Sequence, residues 1–273
     1  MSALELLDEL GFEACAMVLG PEGVREQRGD VDLPRPWRSV TKTLTGFASA
    51  VALQEGRVGL DDPAGPEGST LRHLLAHASG YFYESSRTLQ APGLRRHYSN
   101  YGIDEAARHL ERATGYDIGD WVQEKVADPL GMSRLEWGGS PSVGAVGPVA
   151  DLALLAAEVL RPTLLRPPWS RELTSVQFPE LVGIMPGFGK QTPNPFALGF
   201  EVRGTKSPHW TGAHNSPGTV GHFGMRGTAF WVDPEADLAL VIGSAHDFCD
   251  AHRDVLPRLG DAVLESHARC TPS

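Results

Sequence analysis

Cysteines are few in this sequence of 273 residues, and their arrangement excludes two kinds of stabilising site. The three cysteines, Cys15, Cys249 and Cys270, are odd in number and widely spaced. A disulfide framework needs paired cysteines, and a structural zinc site needs closely spaced cysteine and histidine pairs. Neither pattern occurs, so the fold must depend on a hydrophobic core, for which 273 residues with 41% hydrophobic content are sufficient.

A basic leader and a long apolar run are also missing. A secretory signal starts with positive charge ahead of its apolar segment, whereas Glu5, Asp8 and Glu9 precede only a short apolar run here. No stretch approaches the roughly 20 apolar residues of a membrane-spanning helix. We therefore expect a cytoplasmic protein without membrane contact.

Positive charge is scarce. The 24 Lys and Arg residues are outnumbered by 34 Asp and Glu residues, which gives a net charge of −10. A surface that binds nucleic-acid phosphates needs an excess of positive charge, so we expect no nucleic-acid partner. Four of the basic residues are lysines, and a motif that requires lysine is correspondingly rarer by chance.

What the sequence does contain is a periodic pattern that changes twice along the chain. Apolar residues at helical spacing predict helices over residues 3–11, 39–55, 71–80, 103–113, 118–126, 147–160 and 253–267. Runs rich in β-branched and aromatic residues predict strands over residues 13–20, 23–30, 196–204, 218–224, 227–235 and 238–245. Dense prolines in 161–195 predict surface connections rather than a packed layer.

The order of these elements predicts a single domain, residues 1–273, of the α+β class. Strands near both chain ends would form an antiparallel sheet flanked by helices, over about 1–60 and 195–273. The helices between them would form an inserted α-helical lobe over about 61–194.

The first candidate for chemistry is the pair Ser39 and Lys42. Residues three apart lie on one face of a helix, so the Lys42 amine can sit beside the Ser39 hydroxyl and take its proton. Ser39 would also stand at a helix N-terminus, which favours developing negative charge. The plain structural interpretation is an N-cap serine and a solvated lysine. Chance gives this spacing in roughly one of four such chains, so the pair is weak evidence alone.

The second candidate is Tyr98 with Asn100. A phenol near cations can ionise and serve as a general base, and an Asn side chain offers both a donor and an acceptor to a substrate amide. A turn in which Asn100 and Gly102 accommodate the backbone is the structural alternative.

The third candidate is His222 with Gly224 on a predicted strand. A lone strand histidine is more often a packed side chain. The order of the three pairs carries more weight, because each spacing occurs once in the chain and chance supplies the ordered set about once in a hundred chains. His73 and His77 also have a spacing that zinc can use, but the Glu that a metalloprotease carries between them is missing.

In these pairs the sequence resembles the family of class C β-lactamases, D-alanyl-D-alanine carboxypeptidases and related esterases. LLAHASG at 74–80, YSNYG at 98–102 and GHFGMRGTAFWVDPE at 221–235 resemble further landmarks of that family. The resemblance implies Ser39 as the nucleophile, with Lys42 and Tyr98 handling its proton. No complete set of metal ligands appears near the motifs, so we expect no metal, and we expect no cofactor.

The same resemblance implies four residues that bind the substrate. Asn100 would steady the substrate, and His222 and Gly224 would line the site from the sheet. The backbone N–H groups of Ser39 and Met225 would form the oxyanion hole.

The resulting hypothesis is a serine hydrolase that cleaves a small-molecule ester or amide through an acyl-enzyme on Ser39. A catalytically silent binding protein, and a β-lactamase or D-amino-acid peptidase, remain alternatives. His222 stands where carboxylate-handling relatives have lysine, so we expect neutral substrates to be preferred, with the preference narrowing near pH 6 as His222 gains a proton. Arg226 is a second cation that could replace that lysine.

Overall fold

The computed structural model describes residues 2–267, so Cys270 lies outside it. The strands are β1 (Ala14–Gly20), β2 (Gly23–Arg28), β3 (Arg35–Pro36), β4 (Glu136–Trp137), β5 (Ala145–Gly147), β6 (Gly183–Met185), β7 (Gly189–Gln191), β8 (Glu201–Val202), β9 (Val220–Phe223), β10 (Ala229–Asp233) and β11 (Leu238–Ser244). The helices are α1 (Thr41–Gln54), α2 (Leu71–Leu75), α3 (Asn100–Thr114), α4 (Ile118–Val122), α5 (Asp128–Leu130), α6 (Val149–Leu160), α7 (Pro167–Thr174) and α8 (Asp250–His267).

The main sheet has the strand order β2-β1-β11-β10-β9-β8. All of its pairs are antiparallel, and β1 from the start of the chain lies beside β11 from its end, with Cys15 opposite Gly243. The predicted antiparallel sheet built from both chain ends is therefore confirmed, as is the α+β class. The two-lobe division near residues 60 and 195 stays a prediction.

Helices cover both faces of this sheet, so its central strands are buried on both sides. Along β1, Val18 packs with α8 and the 3₁₀ helix Ala3–Leu10, whereas Met17 and Leu19 belong to the larger core around α1 and α6. Successive strand residues point to opposite faces, so a strand covered on both faces is apolar throughout. Among residues 2–267, no helix is long and apolar enough to cross a bilayer.

Two regions differ from the sequence-based prediction. The predicted strand 196–204 is reduced to Glu201–Val202, because the backbone around Gly199 packs against α1 instead of extending the sheet. The region 161–195 contains α7 and the β6–β7 hairpin, so the expectation of connections alone was wrong. Prolines at the start of α7 fit the first turn of a helix, where the missing N–H is no loss.

Helix α1 is enclosed on every side, and all of its residues except the last are buried. Gly46 makes this possible, because a Cβ atom there would overlap the carbonyl oxygen of Leu198. The chain segment before β8 therefore crosses directly against the helix backbone, near the first turn that carries Lys42.

Gly46→Ala tests this close approach. Alanine normally stabilises a helix interior relative to glycine by up to about 1 kcal/mol. Here the overlap with Leu198 should reverse the sign and lower the free energy of unfolding by about 2 kcal/mol or more. Urea denaturation measures the change. Gly218→Ala, where an added Cβ meets only ordinary contacts, should stay within about 0.5 kcal/mol; equal stability of the two variants would contradict the packing described.

Candidate active site

Ser39 lies in the 3₁₀ turn Arg38–Val40, immediately before α1. Arg38 has a φ of 51°, in the left-handed region that non-glycine residues rarely occupy. The preceding Trp37 is fully buried and donates its indole N–H to the carbonyl of Gly147 at 2.9 Å. A tightly anchored tryptophan and an unusual backbone turn thus hold the serine in place, a combination that is typical of functional sites.

Lys42 is beside Ser39, as the spacing predicted. Its Nζ lies 3.2 Å from Ser39 Oγ and donates a second hydrogen bond to the carbonyl of Ser142 at 2.9 Å. The lysine is 0% exposed, and burial lowers the pKa of its amine to about 7, against a smaller opposing effect of Asp104. Near neutral pH the amine is therefore substantially unprotonated and able to accept the serine proton.

Asp104 reaches this region from α3. It lies four residues after Asn100, on the same face of that helix. Ser142, whose carbonyl accepts from Lys42, also hydrogen-bonds the Asp104 carboxylate, and burial raises the pKa of that carboxyl group. Asp104 was not predicted from the sequence, since its approach to the lysine depends on the packing of α3 against α1.

Tyr98 lies between the Ser39–Lys42 pair and His222 and contacts both. Its hydroxyl hydrogen-bonds Ser39 and lies 3.4 Å from Nε2 of His222, and Lys42 Nζ is 4.9 Å from its ring centroid. Burial raises the pKa of the phenol far above its usual value. The prediction that nearby cations would ionise Tyr98 was wrong, because the loss of hydration outweighs them. Tyr98 is therefore a neutral phenol, which can donate its proton and recover one afterwards.

His222 is a neutral imidazole. Its Nδ1 donates to the carbonyl of Phe223 at 2.8 Å, which leaves Nε2 as an acceptor for Tyr98. Burial, followed by the charge of Lys42, lowers the pKa of His222 to about 4. The expectation that it gains a proton near pH 6 was therefore wrong. Arg226, considered as a replacement cation, pairs with Asp247 at the surface at 2.8 Å.

The other three predicted substrate-binding residues lie around this centre. Asn100 is buried at the first position of α3, and within residues 2–267 its Oδ1 has no hydrogen-bond partner. A Cβ atom at Gly224 would overlap the Trp37 carbonyl, so only glycine lets the end of β9 approach the Ser39 turn. Met225 follows with 53% exposure.

These residues border a cavity of about 500 Å³. Ser39, Tyr98, His222 and Met225 line it directly. Large apolar side chains form its mouth, namely Phe82, Tyr83, Leu89 and Ile184. Nothing in the local sequence marks these four, because they come from loops whose approach depends on the whole fold.

A buried ion cluster stands behind His222 and was also missed. The Glu201 carboxylate accepts from Lys206 Nζ at 2.8 Å, His209 Nε2 at 3.0 Å and Trp210 Nε1 at 2.9 Å. Burial alone would raise its pKa, but Lys206 and His209 hold the pKa of Glu201 well below its usual range. The glutamate therefore stays ionised within a matched set of donors.

One ring nitrogen of each histidine in the alternative zinc pair is engaged by another contact. His77 Nδ1 accepts the backbone N–H of Ser99 at 3.2 Å, and its ring packs on Tyr98 at 4.5 Å. His73 Nδ1 lies 2.9 Å from the hydroxyl of Thr70. In the part of the chain that the structure describes, no three His, Cys, Asp or Glu side chains are grouped so that they could hold a metal ion.

Comparison with known proteins agrees with this geometry. The family model named Beta-lactamase matches residues 24–263. The chain belongs to the β-lactamase family. The resemblance stated from the three motif pairs is thereby confirmed, and the fold is the one that serine hydrolases and acyltransferases of this family share.

Three similar proteins illustrate the range of this family. The crystal structure of a β-lactamase from Mycobacterium bovis is 47% identical, with a TM-score of 0.96, and the match covers 98% of this chain and 100% of that one. A hydrolase with promiscuous acyltransferase activity is 18% identical, with a TM-score of 0.78 and 96% of each chain covered, which shows the shared fold.

The third is the ML-236A carboxylate methylbutanoyltransferase of Penicillium citrinum. It is 27% identical over a match that covers 39% of this chain. The match spans about two fifths of that relative, 38% of its length.

Asp104→Asn tests the electrostatic setting of Lys42. The carboxylate favours the protonated amine, so its removal should lower the pKa of Lys42. The acidic limb of the pH profile should then move to lower pH by roughly half a unit or more. The measurement is the rate of Ser39 modification by a fluorophosphonate between pH 5 and 9. Asp120→Asn, which removes an exposed carboxylate from α4, should leave the limb in place; an unmoved or raised limb in Asp104→Asn would contradict the assignment.

Proposed function

We propose that the protein cleaves an ester or amide of a small molecule through a covalent acyl-enzyme on Ser39. One observation carries this proposal, the 3.2 Å contact between the Ser39 hydroxyl and a fully buried amine whose pKa is about 7. A lysine in that state is a general base at neutral pH. A binding protein would gain nothing from burying an amine at such a cost in hydration, which argues against a catalytically silent protein.

In the first step, neutral Lys42 takes the Ser39 proton as the Oγ atom attacks the substrate carbonyl. The carbonyl oxygen becomes an oxyanion, which the backbone N–H groups of Ser39 and Met225 would stabilise. Glycine at position 224 suits this role, because it allows the strand end and the serine turn to approach each other closely.

In the second step, the tetrahedral intermediate expels the alcohol or amine, which must receive a proton. Tyr98 lies between Ser39 and His222 and is neutral, so it can donate its own proton to the leaving group and recover one from protonated Lys42. Water, or another acceptor alcohol or amine, then attacks the acyl-enzyme by the reverse sequence.

We favour an esterase or amidase over a β-lactamase or D-amino-acid peptidase. His222 carries no charge above about pH 4, so it offers a substrate carboxylate weaker attraction than a lysine would. The apolar mouth of the cavity suits a hydrophobic group on the substrate. The names of two relatives add support, since one is a hydrolase with promiscuous acyltransferase activity and another a methylbutanoyltransferase.

The acyl-enzyme itself is the first test. A fluorophosphonate should add mass to the one peptide that contains Ser39, and Ser39→Ala should abolish the addition, with exposed Ser86→Ala as the control. Labelling of a different serine would contradict the mechanism.

Tyr98→Phe should slow turnover of an ester by roughly 10²–10⁴, the usual effect of removing a positioned acid or base.

Substrate preference is the second test. At about pH 8 a neutral 4-nitrophenyl ester should have a higher kcat/KM than a penicillin, and the preference should persist at pH 6 because His222 stays neutral at both values. His222→Lys should shift the preference toward the penicillin, whereas His222→Gln, which adds no charge, should not. A wild-type enzyme that prefers the penicillin would refute this role of His222.

A further inference from the structure

The chain segment just before Tyr98 carries three basic side chains in a row. Arg96 pairs with Gly183 in an isolated bridge, which fixes this part of the backbone against β6. Arg95, Arg96 and His97 all border the cavity that contains Ser39. This segment therefore supplies polar groups to an otherwise largely apolar wall.

Arg96 and Arg95 differ in how their donors are used. The Arg96 guanidinium is buried and donates to the backbone carbonyls of Asn194 at 3.0 Å and Gln177 at 2.7 Å, and also to that of Ala76. Arg95 is half-buried, and no hydrogen bond or ion pair joins its side chain to any of residues 2–267. Arg96 is thus a structural brace, and Arg95 is a permanent cation with free donors.

His97 adds a second polar group beside Arg95. It also borders the cavity, but its Nε2 atom is buried and does not face a ligand there. The free donors on this wall therefore belong to Arg95. A half-buried guanidinium without an acceptor, on the wall of a ligand cavity, indicates that the ligand supplies an acceptor.

Building on the proposed function, we propose that Arg95 forms an anion subsite and that the substrate carries a carboxylate bound there. A guanidinium matches a carboxylate with paired hydrogen bonds, which fixes the orientation of the ligand as well as its charge. The apolar mouth would hold the body of the substrate, while the ester or amide lies at Ser39.

Arg38 and Arg226 are exposed and do not line the cavity. The cationic or titratable groups closer to it cannot serve the same purpose. Lys206 is engaged by Glu201 at 2.8 Å, and Lys42 is needed beside Ser39. His222 is neutral. The subsite therefore lies on the segment before Tyr98 and not on β9, so the position of the carboxylate within the substrate decides recognition.

Matched pairs of substrates test the subsite. Mono-4-nitrophenyl adipate is compared with its methyl ester, which places the charge on the acyl group, and 4-acetoxybenzoate with methyl 4-acetoxybenzoate, which places it on the leaving group. In at least one pair the acid should have the higher kcat/KM. Arg95→Gln should lower the acid-to-ester ratio of that pair tenfold or more, the usual effect of losing a charge-assisted pair, and Arg95→Lys should restore part of it.

Arg87→Gln is the control for long-range charge, because Arg87 is exposed and stacks over Phe82, 4.5 Å from its ring centroid. Its ratio should match that of the wild type. Ratios near one in the wild type for both pairs, or equal ratios in Arg95→Gln and wild type, would overturn the subsite while leaving the acyl-enzyme intact.

Binding alone separates this proposal from the proposed function. Calorimetry in the Ser39→Ala background compares 4-acetamidobenzoate with its methyl ester, neither of which can be turned over by that variant. The acid should bind more tightly, and adding Arg95→Gln should remove the difference. If Ser39 is never acylated but this difference is present, the hydrolase proposal fails and the subsite stands; if the acid gains nothing from Arg95, the subsite fails whatever Ser39 does.

Discussion

The complete burial of the Lys42 amine is the constraint on which the site depends. An amine removed from water must be surrounded by hydrogen-bond acceptors or lose its proton. The Lys42 amine is partly compensated in both ways. It donates to Ser39 and to the carbonyl of Ser142, and its pKa falls to about 7. Both effects require α1 to be enclosed on every side, and the missing side chain of Gly46 allows that enclosure.

The same burial determines the charge states of Tyr98 and His222, and it shifts their pKa values in opposite directions because one is an acid and the other a base. It raises the pKa of Tyr98 and lowers that of His222, so both groups are neutral across the range in which Lys42 titrates. One proton, shared among Ser39, Lys42 and Tyr98, therefore accounts for the changes of charge beside the scissile bond. Glu201 raises the pKa of both groups, but burial outweighs it at His222. The carboxylate itself is paired with Lys206 at 2.8 Å.

Features set by neighbouring residues in the chain could be predicted, and features set by the fold could not. The pairing of Ser39 with Lys42 follows from helical spacing, and the antiparallel sheet follows from alternation and turn residues. The charge states of Tyr98 and His222 depend on burial, which no short motif records, and both expectations about their ionisation were wrong. Asp104 and Arg95 were missed for a related reason: their partners, or the cavity they border, lie on remote parts of the chain.

The segment leading to Tyr98 shows how one stretch of backbone can serve both stability and recognition. Its extended conformation sends Arg96 into the interior, where carbonyl groups from three separate loops accept its donors. A segment anchored in this way holds Tyr98 in register with Ser39 and His222. Arg95 directly precedes this anchor and borders the cavity, with donors that no group of residues 2–267 accepts. Because the neighbouring residue is fixed in the interior, the backbone of this cation is positioned in advance and loses little freedom on binding, which favours recognition by orientation over general attraction of charge.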